Sequence, residues 1–257
     1  MKRIGRIKKI VELLEEKGNV STVFLAKTFN ISESSVRRDI TYMVSLNKYK
    51  NINRVHGGII LDTVRNSLEY MFELKLGLNS KYKIAIAKKA SEFIYDGDSI
   101  IIDSGTTCLY LAQCLHGKKG LRIITLDAKI AEELGNYENV ESTIVGGVIR
   151  PGYYTIGGSL ALENLNQFSA QKVFMSADAI DLEHGITNAS EFEVGVKKKI
   201  IHSGKHIWII VDYTKFKKHN LYKVADISNV HTIITNKDLD SDYANIIRER
   251  GLELILV

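Results

Sequence analysis

Nowhere in its 257 residues does the chain hold an uninterrupted apolar run approaching the roughly 18 residues of a membrane-spanning helix. Its two cysteines, Cys108 and Cys114, are too few for a disulfide framework and too few by themselves for a zinc site. The opening residues Met1-Lys2-Arg3-Ile4-Gly5-Arg6 lack the apolar stretch of a secretion signal, and an amphipathic pattern with Glu12, Glu15 and Glu16 follows. A cytoplasmic protein with no membrane partner is expected. There is no internal repeat, no low-complexity tract and no GxxxxGK[ST] loop, so no NTP site is inferred. What is present is an ordinary globular composition, 45% hydrophobic and 25% charged. At roughly 100–200 residues per domain, the length suggests two domains or one large one.

The charge is unevenly distributed. Residues 1–60 carry 12 Lys or Arg against 5 Asp or Glu, a net +7, while the other 197 carry 23 against 25, a net −2. A basic head on a near-neutral body is the electrostatic outline of a nucleic-acid-binding module, although charge alone also fits an accidental basic surface. Within the head, Ile7, Ile10, Val11 and Leu14 form one helical stripe that ends near Lys17-Gly18. Ser21 suits the cap of a second helix with Leu25, Ala26 and Phe29 inward, and Asn30 stands where a left-handed turn residue is needed. Ser32 suits the cap of a third helix with Val36, Ile40 and Met43 buried. Ser34, Arg38 and Thr41 then point away from that stripe, flanked by Ser35 and Arg37. Short polar side chains and two arginines in the first turns of such a helix match a major-groove recognition helix. The alternation in Ile52–Ile60, broken at Gly57-Gly58, predicts a β-hairpin wing that offers Arg54 and His56 to phosphates or the minor groove. Together these predict a winged helix-turn-helix.

Val36-Arg37-Arg38-Asp39-Ile40 followed by Arg54-Val55-His56-Gly57-Gly58 resembles the N-terminal domain of the DeoR-type bacterial transcription regulators. Lys50 departs from that pattern, in which a glycine enters the wing.

From about Lys81 onward, short β-branched runs alternate with helical patterns, which predicts an α/β domain with a mostly parallel sheet. The expected strands are Ser99–Asp103, Arg122–Thr125, Ser142–Val145, Lys172–Met175, Ile207–Asp212, Thr232–Thr235 and Leu252–Val257. The domain boundaries read as 1–60 for the head, 61–80 for a connector that packs, and 81–257 for an effector-binding and oligomerisation domain. In open α/β sheets ligands sit at the carboxyl ends of strands. Asp103-Ser104-Gly105-Thr106-Thr107 has that position, with helix N–H groups and hydroxyls suited to a phosphate and Asp103 suited to polyol hydroxyls. The same residues also fit a plain capped strand-to-helix turn. Gly146-Gly147 with Arg150 offers close backbone approach and a guanidinium fork, or merely a bend with a surface arginine. Asp212-Tyr213-Thr214-Lys215 adds a cation at the same edge, or an ordinary loop lysine. Glu191 and Glu193 also fit as complements of a helix dipole.

The resemblance to the DeoR-type family extends along the whole chain through Lys83–Ala87, Asp96-Gly97-Asp98, Asp103–Thr107, Gly146-Gly147 with Arg150, Glu193 with Lys197, and Asp212 with Lys215. It implies a sensor domain related in fold to ribose-5-phosphate isomerase, a phosphorylated-sugar effector, and a site bordered by the Asp103–Thr107 loop, Lys215 and the Gly146-Gly147 turn. Asp178 and Glu193 are added as candidate effector residues. The chain departs from the family with Leu126-Asp127 after Thr125, with Gly158 in place of proline, and with Ser176-Ala177-Asp178-Ala179 in place of a more glycine-rich turn.

Other pairings lead nowhere. His202 and His206 have zinc-like spacing but straddle an expected helix end, so no metal and no cofactor are expected. Three functions then compete. One is a sugar-responsive regulator, a repressor that binds double-stranded operator DNA as a homodimer or higher homo-oligomer. Another is a sugar-phosphate isomerase-like enzyme with a DNA-binding head, drawing on Asp178, Glu191, Glu193 and Lys215. The last is a constitutive DNA binder whose body only oligomerises.

Overall fold

The computed structural model describes residues 3–46, 49, 52–55, 57–61, 72 and 75–257. They fall into two units, Met1–Leu78 with Pro151–Tyr153, and Asn79–Arg150 with Tyr154–Val257.

In the first unit, helix α1 (Arg3–Lys17) buries Ile7, Ile10 and Leu14, and Gly18 ends it at a positive φ of 73°. After β1 (Asn19–Ser21), Ser21 caps α2 (Thr22–Phe29) by accepting a hydrogen bond from the Phe24 amide at 3.1 Å. Asn30 takes the left-handed conformation (φ 51°) that the turn was expected to need. Ser32 accepts from the Ser35 amide to start α3 (Glu33–Ser45), whose Val36, Ile40 and Met43 are buried as the periodicity predicted. The wing is the antiparallel pair β2 (Ile52–Val55) and β3 (Gly58–Leu61). β1 joins it as a third strand, in the order β1-β3-β2, a pairing that the periodicity of residues 52–60 does not predict. Gly58 permits this, because a Cβ there would meet the Val20 carbonyl oxygen at 2.4 Å. Lys50 and most of the expected connector lie outside the described residues.

The second unit opens with α4 (Ser80–Ser91) and is built on a seven-stranded, all-parallel sheet. Its strands are β4 (Ser99–Ile102), β5 (Leu121–Thr125), β6 (Val140–Ile144), β9 (Ala170–Met175), β12 (Gly204–Ile210), β14 (Thr232–Thr235) and β15 (Glu253–Leu256). All seven strands read from the sequence are members of this sheet, which has the order β15-β14-β12-β9-β4-β5-β6. The chain therefore winds outward from β4 in one direction and from β9 in the other, so the strand order reverses between these two neighbours. Their carboxyl ends form the crevice where such sheets bind ligands. Helices α5 (Thr106–Gln113), α6 (Ala128–Leu134), α7 (Ser159–Leu165), α8 (Glu191–Ile201) and α9 (Ser241–Glu249) link the strands. A hairpin of β7 (Val148–Ile149) and β8 (Ile156–Gly157) follows β6. A second small sheet joins β10 (Ala179–Asp181), β11 (Gly185–Asn188) and β13 (Tyr222–Ala225) in antiparallel fashion. Neither the hairpin nor the second sheet was read from the sequence, and the same holds for α7 and α9.

Candidate functional site

Two polar regions stand out, one in each unit. In the first, the N-terminus of α3 gathers the hydroxyls of Ser32, Ser34 and Ser35, with Ser32 Oγ 2.9 Å from Ser34 Oγ and 3.0 Å from Ser35 Oγ. Arg38 is exposed and donates to Ser35 Oγ at 3.2 Å, while Arg37 reaches back to Glu33 in an exposed ion pair. Arg54, on the wing strand β2, donates to Thr41 Oγ1 at 3.0 Å and so ties the wing to the outer face of α3. Ser21, the cap of α2, lies at the start of the helix preceding α3. His56 lies outside the described residues.

Sequence reasoning passed over what holds α3 in place. Asp39, with a side chain only 2% exposed, accepts from Arg3 Nε at 3.0 Å and from Arg6 Nε at 2.7 Å, locking α1 to the buried side of α3. The clue was available, since a carboxylate in the middle of a buried stripe demands a cationic partner.

In the second unit, the residues expected to meet an effector lie at the carboxyl edge of adjacent strands. Ser104, Thr106 and Thr107 are all buried, and α5 begins after Gly105 (φ 108°) with no side chain capping it. The first N–H groups of a helix have no partner inside it, so this terminus presents donors and a positive dipole end amid three hydroxyls. Asp103 differs from expectation. It is already the anionic half of a buried ion pair with Lys197, and Oδ2 also accepts from the Ser176 amide at 3.2 Å. Burial lowers the Lys197 pKa, but the carboxylates of Asp103 and Glu193 outweigh it and keep the ammonium charged. Arg150 likewise differs, because its guanidinium is held by Glu193 and is not presented as an open fork. The second Glu193 oxygen accepts from Asn188 Nδ2 at 2.8 Å. Glu193 lies in the first turn of α8 and Lys197 one turn later, so this one helix carries both the carboxylate that holds Arg150 and the cation that holds Asp103.

Gly147 admits no side chain, since a Cβ would lie 2.7 Å from the Gly157 carbonyl oxygen, and Gly146 accepts a long bond from Asn164. Asp178 follows β9 and accepts from the Ala189 amide at 3.2 Å, bracing the approach to α8. Lys215 lies in the short 3-10 turn Tyr213–Lys215 after β12, which Asp212 caps through the Thr214 amide. Asp127, noted in the sequence only as a departure, proves central. It is buried, caps α6 through the Lys129 and Ile130 amides, and takes the Gly105 amide at 3.1 Å. Burial lifts its carboxyl above the ordinary range, against the pull of these three N–H donors.

His202 and His206 do fall on separate elements, and His206 Nε2 shares a hydrogen bond with Thr232 Oγ1. Among the described residues, Asp181, Glu183 and His184 bring potential metal ligands within 4.8 Å of one another, but they are largely exposed and His184 already bonds Asp181.

A winged helix-turn-helix joined to an α/β unit with a polar crevice at its strand reversal defines a class: DNA-binding proteins that carry a sensor domain. The comparisons agree. The DeoR-like helix-turn-helix domain family matches residues 6–65, and the DeoR C terminal sensor domain family matches residues 78–237. The chain is 42% identical to the putative sgc region transcriptional regulator of Escherichia coli (strain K12), over 99% of this chain and 96% of that one. It is 28% identical to the glycerol-3-phosphate regulon repressor of the same organism over the whole of both chains, and 29% identical to the putative aga operon transcriptional repressor of Escherichia coli O157:H7 over 98% of this chain and 93% of that one. The chain belongs to the DeoR family of transcription regulators. The family and these relatives are regulators and not enzymes, so the isomerase reading gives way.

Proposed function

We propose that the chain represses a sugar-utilisation operon from the cytoplasm, binding double-stranded operator DNA as a homodimer or higher homo-oligomer, and that a phosphorylated sugar alters its operator affinity. Residues 1–60 act as the DNA-binding domain, 61–80 as the connector, and 81–257 as the effector and assembly domain. On the DNA side, Ser34, Arg38 and Thr41 read base edges, while Ser21, Ser32, Ser35, Arg37 and the wing residues Arg54 and His56 engage phosphates or the minor groove. The effector's phosphate meets Ser104, Gly105, Thr106 and Thr107, with Gly146, Gly147 and Lys215 at the border and Asp103, Arg150, Asp178 and Glu193 shaping the polar wall. The observation that carries this reading is the uncapped start of α5, walled by three buried hydroxyls at the point where the strand order reverses. Two relatives are named as repressors, of an aga operon and of the glycerol-3-phosphate regulon, which supports the sign of regulation and the chemical class.

Fluorescence-anisotropy titration against the chain's own upstream DNA tests the proposal, at two salt concentrations and with pentose, hexose and tagatose phosphates. An effector coupled by about 1–3 kcal/mol changes DNA affinity roughly 5–150-fold. One ester that changes affinity while its free sugar does not is the expected result. Specific binding unmoved by every ester would favour the constitutive DNA binder instead.

A further inference from the structure

Asn188 closes β11 and is completely buried. Its Nδ2 donates to Glu193 Oε2. A carboxylate only accepts, so this bond fixes which way round the amide sits and turns Oδ1 away from Glu193. Oδ1 is buried with no hydrogen-bond partner among the described residues. The threonine hydroxyls in the same position, Thr125 Oγ1 and Thr235 Oγ1, can rotate in search of a partner, whereas the pinned amide of Asn188 cannot. Nor do the neighbouring cations supply a donor. Arg150 is engaged with Glu193, and Lys197 donates to Asp103 and to the Ser176 carbonyl at 3.2 Å. A buried acceptor left in this state costs stability, and proteins retain such groups where something else completes them.

We propose that Asn188 Oδ1 reads the sugar part of the effector, accepting a hydrogen bond from one of its hydroxyls. The assignment rests on the effector reading above and adds a division of labour to it. A phosphate dianion has no proton to give and belongs at the N–H groups of α5, whereas a sugar hydroxyl carries a proton that Asn188 Oδ1 can accept. The residue thereby selects polyol esters over bare phosphate.

The test uses the full chain with Asn188→Leu, and with Asn188→Ser as a smaller change that keeps a hydroxyl for Glu193. Operator binding is titrated with ribose 5-phosphate, glucose 6-phosphate and tagatose 6-phosphate, and inorganic phosphate binding is followed by thermal shift. In both variants the ester that moves wild-type affinity should be needed at about tenfold higher concentration, with inorganic phosphate changed less than twofold. Equal loss of ester and phosphate would make Asn188 a prop for Glu193 and overturn the assignment, as would unfolding of both variants. An ester acting alike on wild type and variants would overturn it while leaving the broader effector reading intact. No ester effect on the wild type would overturn both.

Discussion

Lys197→Met should unsettle the sensor domain more than any other single truncation at its crevice. The Lys197 and Asp103 side chains are 3% and 2% exposed, so solvent does not screen them. Removing one partner strands the other as an unpaired buried charge, at a cost of about 3–5 kcal/mol. For a domain of this size each kcal/mol corresponds to about 2–4 °C, which places the fall in melting temperature at about 6–20 °C. Two further measurements separate this cause from simple loss of packing. Asp103→Leu combined with Lys197→Met removes both charges and should recover most of the loss, since buried pairs seldom outperform apolar replacements. In the single variant, Asp103 escapes its isolation by taking a proton. Its folded pKa, already raised by burial against the pull of Lys197, then rises further. A raised folded pKa gives stability that is complete below the unfolded carboxylate pKa and is lost as pH rises through the folded value. The Lys197→Met protein should therefore gain on the wild type as the pH falls from 7 toward 5 in calorimetric melts. A loss under about 2 °C, or a double variant as unstable as the single, would refute the reasoning.

Other expectations concern both units. Arg38→Ala should lower discrimination between operator and random DNA, whereas Arg54→Ala should weaken both and reduce the salt slope of binding by about one. Anisotropy titrations over a range of salt distinguish the two, and equal loss on both DNAs for Arg38→Ala would assign it to phosphate. Gly58→Ala drives a Cβ to within 2.4 Å of the Val20 carbonyl oxygen. Because backbone and not a pliable side chain must yield, a loss of about 2–3 kcal/mol in urea unfolding is expected, with operator binding impaired. Asp127 titrates higher in the folded chain because it is buried. Its contribution to stability is therefore complete below the unfolded carboxylate pKa and declines as pH rises through the folded one. Asp127→Asn cannot ionise, so urea midpoints measured from pH 4 to 8 should show that decline flattened.

The parallel sheet was legible because strands covered on both faces must be apolar along their length, and runs such as Ile207–Ile210 admit no other economical reading. The caps were legible for a different reason: Ser21, Ser32 and Asn30 satisfy local demands within three residues of themselves. The antiparallel sheet of β10, β11 and β13 escaped notice because its strands are three or four residues long and β13 arrives from far along the chain. β1 was hidden likewise, since three residues between two helices carry no periodicity and their pairing depends on Gly58 some forty positions away.

The same distinction between local and distant partners explains the site. The loop Asp103–Thr107 declares itself, because strand, glycine and hydroxyls are contiguous. What each charged residue does there is decided by partners 22 to 94 positions away: Gly105 with Asp127, Arg150 with Glu193, Asp103 with Lys197. A sequence shows that a carboxylate is present, and burial then requires that something answer it, but only the fold says what. Asp103 and Arg150, which looked like the groups that would meet a ligand, have found internal partners. Asn188, bonded to Glu193 through its Nδ2, keeps its Oδ1 buried and unanswered among the described residues. In a site of matched charges the position that remains open is the one best placed to distinguish ligands, because a ligand lacking the matching donor leaves the protein's own unmet acceptor in place. On the proposed reading, specificity in this sensor follows from what the internal ion pairs leave unsatisfied, more than from the charges themselves.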